Sequence, residues 1–340
     1  MPRSSPIPYY GGKFHLAPVL LRLMPVHEVY VEPFGGGGSF LFAKPRVEIE
    51  VYNDIDRTLF TLFRVLRDPE KFWKFYWSMC LTPYSRDEYR LSLEADKLAP
   101  DDPNLEIEIA RRTYFDIRAS IQARRGSGFS FPVTPGVGSI NSPEVTQNAV
   151  AELPMIQKRL RSVIVENKDA IKLMEQYANT ATLVYLDPPY VHDTRLARAK
   201  YRHEIDDEYH RKLIECCIKY PGMIMLSGYE SPLYDPLIAA GWDKKHAKAF
   251  TTTAGRTAQA NSTDDHTRTE VIWRNPNCLG HHMKRLFDIE SHTEEVVKTV
   301  VTPDTSGDAE FDAIVDALTG NDEAAMDTLI ESGENGKTDT

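Results

Sequence analysis

Thr182-Leu183-Val184-Tyr185-Leu186-Asp187-Pro188-Pro189-Tyr190 is the most telling segment of the chain. A short apolar run rich in branched and aromatic residues reads as a buried strand. Two prolines end it, because neither can donate to a sheet ladder and the first restricts the residue before it. The result is a stiff turn that holds a carboxylate and an aromatic ring at a strand's carboxyl end, where open α/β sheets bind ligands. Asp187, the carbonyl of Pro188 and Tyr190 suit one chemistry in particular. An exocyclic aromatic amine is a poor nucleophile, since its lone pair is delocalised into the ring. Two acceptors taking its N–H bonds would localise that lone pair for methylation while Tyr190 stacks on the ring. The plainer alternative is a strand followed by a proline-rich turn.

Working outward, the length of 340 residues suits one large domain or a core with an inserted module. A hydrophobic fraction of 41% and a charged fraction of 26% are ordinary for a globular protein. No apolar run approaches the roughly 18 residues of a membrane span. The segment Met1–Pro6 lacks the apolar stretch of a secretory signal, so a cytoplasmic location is expected. Four cysteines are too few for a disulfide scaffold, and Cys278 near His281 and His282 has no second ligand pair with zinc spacing. No metal is expected.

The net charge of -10 speaks against nucleic acid only until its distribution is considered. Residues 286–340 carry fifteen acids and two bases. Taken from totals of 50 and 40, that leaves 35 acids against 38 bases in the body, near +3, and a tail near -13. A near-neutral body can still carry a basic cleft.

Upstream, Tyr9-Tyr10-Gly11-Gly12-Lys13 offers close backbone approach at the glycines, rings for stacking and one cation. Leu16, Val19, Leu20 and Leu23 follow with helical spacing up to Pro25. The strand Glu28–Phe34 then runs into Gly35-Gly36-Gly37-Gly38-Ser39 and a short helix over 40–43, the opening of a nucleotide-type α/β fold. A second strand, Val47–Tyr52, ends at Asn53-Asp54-Ile55-Asp56. Asp54 lies about 20 residues past the glycines, where a ribose diol would be gripped, whereas Asp56 suits a helix cap.

From Arg57 to about Leu160 long amphipathic helical patterns replace the βα rhythm, which reads as an inserted helical module. Within it, Ala123–Pro132 combines Arg124 and Arg125 with aromatics and turn formers, suited either to meeting phosphates and bases or to a solvated loop. The α/β rhythm returns at Ser162–Glu166. Asn167 and Asp169 at that strand's tip could reach an adenine edge, with helix capping the alternative for Asp169. Beyond Tyr190, the basic stretch 191–203, with Arg195, Arg198 and Lys200, is expected to form a mobile loop over substrate. Asp206 caps a helix on which His210 is read as structural or solvated, not catalytic. Strands follow at Gly222–Leu226 and Thr267–Trp273, with a flexible stretch over 255–266 between them. The tail shows a charge-biased segment, expected to be disordered, and then acidic amphipathic helices (Phe311, Ile314, Val315, Leu318; Met326, Leu329, Ile330). It would solubilise the chain, dock on the body or bind a protein partner.

Taken together and in this order, the stretches resemble the Dam-like, D12-class DNA adenine-N6 methyltransferases across roughly residues 7–275. Tyr9-Tyr10-Gly11-Gly12-Lys13, Glu32-Pro33-Phe34-Gly35-Gly36-Gly37-Gly38-Ser39, Asn53-Asp54-Ile55 and Asp187-Pro188-Pro189-Tyr190 carry the resemblance. Leu226-Ser227-Gly228-Tyr229 and Thr269–Trp273 resemble phage- or prophage-type members in particular. The resemblance implies a Rossmann-like sheet binding S-adenosyl-L-methionine, formed by residues 1–56 and 161–280. Residues 57–160 would be the target-recognition module for double-stranded DNA, and 281–340 the acidic tail. Tyr9, Lys13, Asp54 and Asp187 match the family's cofactor-contacting positions, and Tyr10, Gly12, Glu32, Phe34, Gly35, Gly37, Asn167 and Asp169 are the further candidate cofactor contacts beside them. The Asn-Gly-x-x-x-Arg hairpin of GATC-reading members is not visible around Ala123–Phe131. Other readings are methylation of cytosine N4 or a protein glutamine amide, whose enzymes more often carry Ser or Asn at the position of Asp187, and a non-catalytic DNA-binding regulatory factor.

Overall fold

Period-two alternation along the central strands sets the layers. In Thr182–Leu186, Leu183 and Tyr185 join a cluster on one face while Val184 and Leu186 join another on the opposite face. A strand buried on both faces reads as a continuous apolar run, which is how this one reads. The computed structural model describes residues 5–8, 16–99, 102, 105–131, 142–190, 205–250 and 267–280. Residues 9–13, 191–203, 255–266 and 281–340 lie outside them.

The chain runs α1 (Ala17–Leu23), β1 (Val29–Glu32), α2 (Ser39–Ala43), β2 (Ile49–Asn53) and α3 (Arg57–Arg67). Then come α4 (Pro69–Leu81), α5 (Arg86–Ser92), α6 (Glu106–Ala119) and α7 (Pro143–Leu160). The remainder is β3 (Val163–Glu166), α8 (Ala170–Gln176), β4 (Thr182–Leu186), α9 (Asp207–Lys219), β5 (Met223–Gly228), α10 (Asp235–Ala239), β6 (Asp243–Phe250) and β7 (Thr267–Arg274). Caps set several helix starts. Asp56, Asp68, Ser85, Ser142, Asp169 and Asp206 each accept backbone N–H bonds in the first turn of the helix that follows.

Seven strands form one sheet in the order β3-β2-β1-β4-β5-β7-β6. β1 to β5 are parallel, and β7 runs antiparallel to both its neighbours. The order reverses between β1 and β4. That is a topological switch point, where the carboxyl ends of two neighbouring strands part and leave a crevice. The register pairs Val29 with Thr182 and Val31 with Val184. The turn after β1 and the Asp187 turn after β4 therefore leave the sheet side by side.

The helices between β2 and β3 do not stand apart from this sheet. Leu59, Leu62 and Phe63 of α3, Phe72 and Phe75 of α4, Tyr114 of α6 and Leu153 of α7 share one apolar cluster with Tyr30, Tyr52 and Tyr185. On the opposite face, Leu173, Leu213 and Leu237 from α8, α9 and α10 pack on Val31, Val184 and Ile224. Sequence reading missed α5, although its Ser85-x-x-Glu88 start is a capping-box pattern. It also missed β6, whose lysines mark a charged edge strand.

A buried ionic clasp anchors α7 to the sheet. Glu50 of β2, 2% exposed, accepts from Lys44 (2.7 Å) and from both terminal nitrogens of Arg159, one of which also reaches the carbonyl of Leu41. Breaking such a pair strands a charge in a dry interior. Arg159→Ala should therefore cost about 3–5 kcal/mol in denaturant unfolding. A loss below about 1 kcal/mol, the range of an exposed pair, would show that the clasp does not hold α7.

Candidate active site

The diproline turn is braced from beneath. Ser227 of β5, fully buried, donates to Oδ1 of Asp187 at 3.0 Å, and its Oγ lies 3.0 Å from the hydroxyl of Tyr185. The Asp187 carboxylate is half-buried at the strand tip. His210 of α9 fixes the backbone: its Nε2 lies 3.1 Å from the carbonyl oxygen of Pro189, while Nδ1 lies 3.4 Å from the Tyr234 hydroxyl. His210 is thus structural, as expected. Tyr190 is held at both ends. Its hydroxyl donates to Glu270 of β7 at 3.2 Å, and its ring meets Tyr229 at 4.5 Å in an edge-to-face contact.

The neighbouring turn depends on its glycines. Gly38 N–H closes onto the Gly35 carbonyl at 2.7 Å, and Gly36 and Gly38 take φ of 48° and 67°, the left-handed region glycine enters freely. Gly35 has a different reason. A Cβ there would lie 2.2 Å from the ring of Tyr52, which is itself fixed by stacking on Phe63 and by donating to the Gly36 carbonyl. Across the turn, Asp54 at the tip of β2 accepts from Gly36 N–H with Oδ2 and from Asp56 N–H with Oδ1, both at 2.8 Å. Burial, and next the nearby Asp56 carboxylate, push the Asp54 carboxyl up to about 7. Each oxygen retains a lone pair, so the carboxylate can hold its turn and still accept a hydroxyl.

The structure brings Asp187, Pro188, Tyr190, Phe34, Gly35, Gly37 and Asp54 to the carboxyl ends of three adjacent strands. Other expected residues take different parts. Glu32, 3% exposed, works from below: its Oε2 accepts from the Tyr30 hydroxyl (2.8 Å) and from Leu41 N–H (3.2 Å). Asn167 donates to the carbonyls of Asp54 (2.7 Å) and Ile55, so it fixes the loop after β2 through its backbone. Asp169 caps α8 with one oxygen and accepts from the Tyr209 hydroxyl (2.7 Å) with the other, which favours the capping alternative.

Arg125 also departs from the phosphate contact expected of it. Its guanidinium turns inward to Asp56 and Asp116, both at 3.0 Å, with its side chain only 12% exposed. Arg124 beside it is exposed. Tyr9, Tyr10, Gly12, Lys13, Arg195, Arg198 and Lys200 lie outside the described residues. Sequence reasoning placed Ser227, Tyr229 and Glu270 only within stretches that carry the resemblance and gave them, like the bracing role of His210, no part in the site, because their partners are far along the chain. Among the described residues no helix is long and apolar enough to cross a membrane, and the Cys278 thiol is buried against the Ile224 carbonyl.

Two tests follow. Gly35→Ala should cost about 1–3 kcal/mol in thermal or denaturant unfolding, the usual cost of overpacking, because Tyr52 cannot withdraw. An unchanged melting temperature would contradict this. Burial raises the Glu32 carboxyl to about 8, a rise that the Tyr30 hydrogen bond opposes and the Asp187 charge reinforces. A folded-state value above the ordinary one means stability is full at low pH and declines as pH climbs toward about 8. Glu32→Gln should remove that decline, worth up to about 1.4 kcal/mol per pH unit between pH 5 and 8. A wild-type-minus-variant difference that is flat with pH would contradict it.

A search of curated proteins finds no match. The family profile described as D12 class N6 adenine-specific DNA methyltransferase matches residues 9–238. Its span takes in the turns after β1 and β4 and the helices between β2 and β3. The family transfers the methyl group of S-adenosyl-L-methionine to N6 of adenine in DNA at specific sites. With that profile over more than half of its length, the chain belongs to the D12 class N6 adenine-specific DNA methyltransferases, EC 2.1.1.72.

Proposed function

We propose that this chain methylates an adenine turned out of double-stranded DNA, in the crevice between the ends of β1 and β4. The single observation that supports it best is the adjacency, fixed by the β1–β4 register, of the glycine turn and the Asp187 turn. The residues present fit the cofactor: an acid at the tip of β2 suits a ribose diol, and the left-handed glycine turn lets backbone approach closely. Phe34, Gly35, Gly37 and Asp54 would hold it. When bound, S-adenosyl-L-methionine supplies an electrophilic sulfonium methyl, whose C–S bond breaks as the bond to nitrogen forms.

The chain's own residues do the rest by positioning. Turning the base out costs a few kcal/mol. Tyr190, buried and gripped by Glu270 and Tyr229, gives a rigid surface for the adenine once the site opens. Asp187, aimed by Ser227, accepts one amino hydrogen and the Pro188 carbonyl accepts the other. His210 already occupies the carbonyl of Pro189, so the acceptor geometry of the turn does not drift. As the new bond forms, positive charge grows on N6, and the Asp187 carboxylate stabilises it until a proton departs. The helices α3 to α7 would read the DNA, with exposed Arg124 on its phosphates.

Asp187→Ala should lower methyl incorporation into DNA by at least about a hundred-fold, as loss of one preorganised polar contact commonly does. Cofactor binding by calorimetry should persist more strongly than activity. Ser227→Ala should fall between wild type and Asp187→Ala in turnover. Full activity of Asp187→Ala would remove this residue from the chemistry. Sequencing methylated DNA from expressing cells gives the base and its context together, and N4-methylcytosine in place of N6-methyladenine would overturn the substrate.

A further inference from the structure

A continuous hydrogen-bonded path joins the glycine turn to the turn that follows α6. It starts at Gly36 N–H, passes to Asp54 (2.8 Å), and from Asp54 to the N–H of Asp56 (2.8 Å). The Asp56 side chain then takes one arm of Arg125 (3.0 Å), whose same nitrogen also reaches the hydroxyl of Thr58 (2.8 Å). The Nε of Arg125 donates to Asp116 of α6 (3.0 Å). The other oxygen of Asp116 accepts from Ser120 Oγ (2.9 Å) and Gly126 N–H (3.1 Å). Ser120 Oγ lies 3.3 Å from the hydroxyl of Tyr89, which accepts from Gly128 N–H (3.0 Å).

The two ends of this path matter differently. One end is the ribose-gripping carboxylate and its glycine turn. The other is a turn whose Gln122 and Ala123, both non-glycine, sit at φ of 59° and 53°. Two consecutive left-handed side-chain residues persist only where the surroundings over-determine them. Here those surroundings are the Asp116, Ser120 and Tyr89 bonds. The same turn exposes Gln122, Arg124 and Phe131, side-chain types that meet bases and phosphates. One guanidinium serves two carboxylates that are each 5% exposed. Neither half can therefore shift without stranding a buried charge.

We propose that Arg125 is a positioning residue that ties the cofactor-holding tip of β2 to the DNA-facing turn, so that binding of either ligand strengthens binding of the other. This rests on the assignment of Asp54 to the cofactor and of the 121–131 turn to DNA. Reciprocity is then a thermodynamic necessity, since a ligand that favours one arrangement of the shared element must favour the other's site by the same factor.

The test uses the full chain, S-adenosylhomocysteine as an unreactive cofactor probe, and a short duplex carrying the site found by sequencing. Calorimetry gives the probe's affinity with and without duplex. For wild type the duplex should tighten binding by about five-fold or more, within the usual range of coupling. Arg125→Lys keeps the charge but loses the planar fork that spans both carboxylates, so its ratio should fall toward one. Should that variant fail to fold, Asp116→Asn retains an oxygen for Ser120 and Gly126 and removes the charge facing Arg125; its ratio should fall likewise. A wild-type ratio of one, or an unchanged ratio in a folded variant, overturns the proposal. Wild type that binds no S-adenosylhomocysteine at all overturns instead the cofactor assignment beneath it.

Discussion

The parallel pairing of β1 with β4 sets both turns of the candidate site side by side. With Val31 held opposite Val184, both strands end together at the sheet's carboxyl side, where the strand order reverses. One leaves through glycines, because Tyr52 fills the space a side chain would need. The other leaves through prolines, which fix the backbone that presents Asp187. A slip of one residue in either strand would reverse which side chains face each layer and separate the two turns.

What converts adjacency into chemistry is buried polar order beneath the turns. Ser227 and Tyr185 aim one carboxylate; Gly36 and Asp56 backbone groups aim another; Glu32 ties β1 to the first turn of α2. Such networks are strong when satisfied and costly when one partner is missing, so the site is stiff where it must be. The clasp of Glu50, Lys44 and Arg159 and the Arg125 bridge do the same between the sheet and the helices beside it. The helices between β2 and β3 thereby share both an apolar core and ionic ties with the catalytic sheet.

Much of this was legible from the chain because the signals are local. β4 declares itself by an apolar run stopped by two prolines, β1 by a strand entering glycines, and α3 and α9 by aspartate caps. The side-chain contacts that escaped it share one physical cause, distance along the chain. Arg125 reads as a surface cation until Asp56 comes to it from 69 residues away. Ser227 is an ordinary strand serine until Asp187, 40 residues off, is placed beside it. β6 was hidden for another reason: as an edge strand it is built from Asp243, Lys244, Lys245 and His246, so it lacks the apolar alternation that betrays inner strands.

The proposed reaction needs an extruded adenine gripped at N6 by the β4 turn beside a donor held by the β1 turn. The most direct measurement is a crystal structure of the ternary complex with S-adenosylhomocysteine and a duplex bearing the target site. It should show the adenine out of the stack, with its N6 at about 2.7–3.2 Å from an Asp187 oxygen and within similar reach of the Pro188 carbonyl. An adenine still stacked in the duplex, or a flipped base whose N6 faces neither acceptor, would rule this grip out.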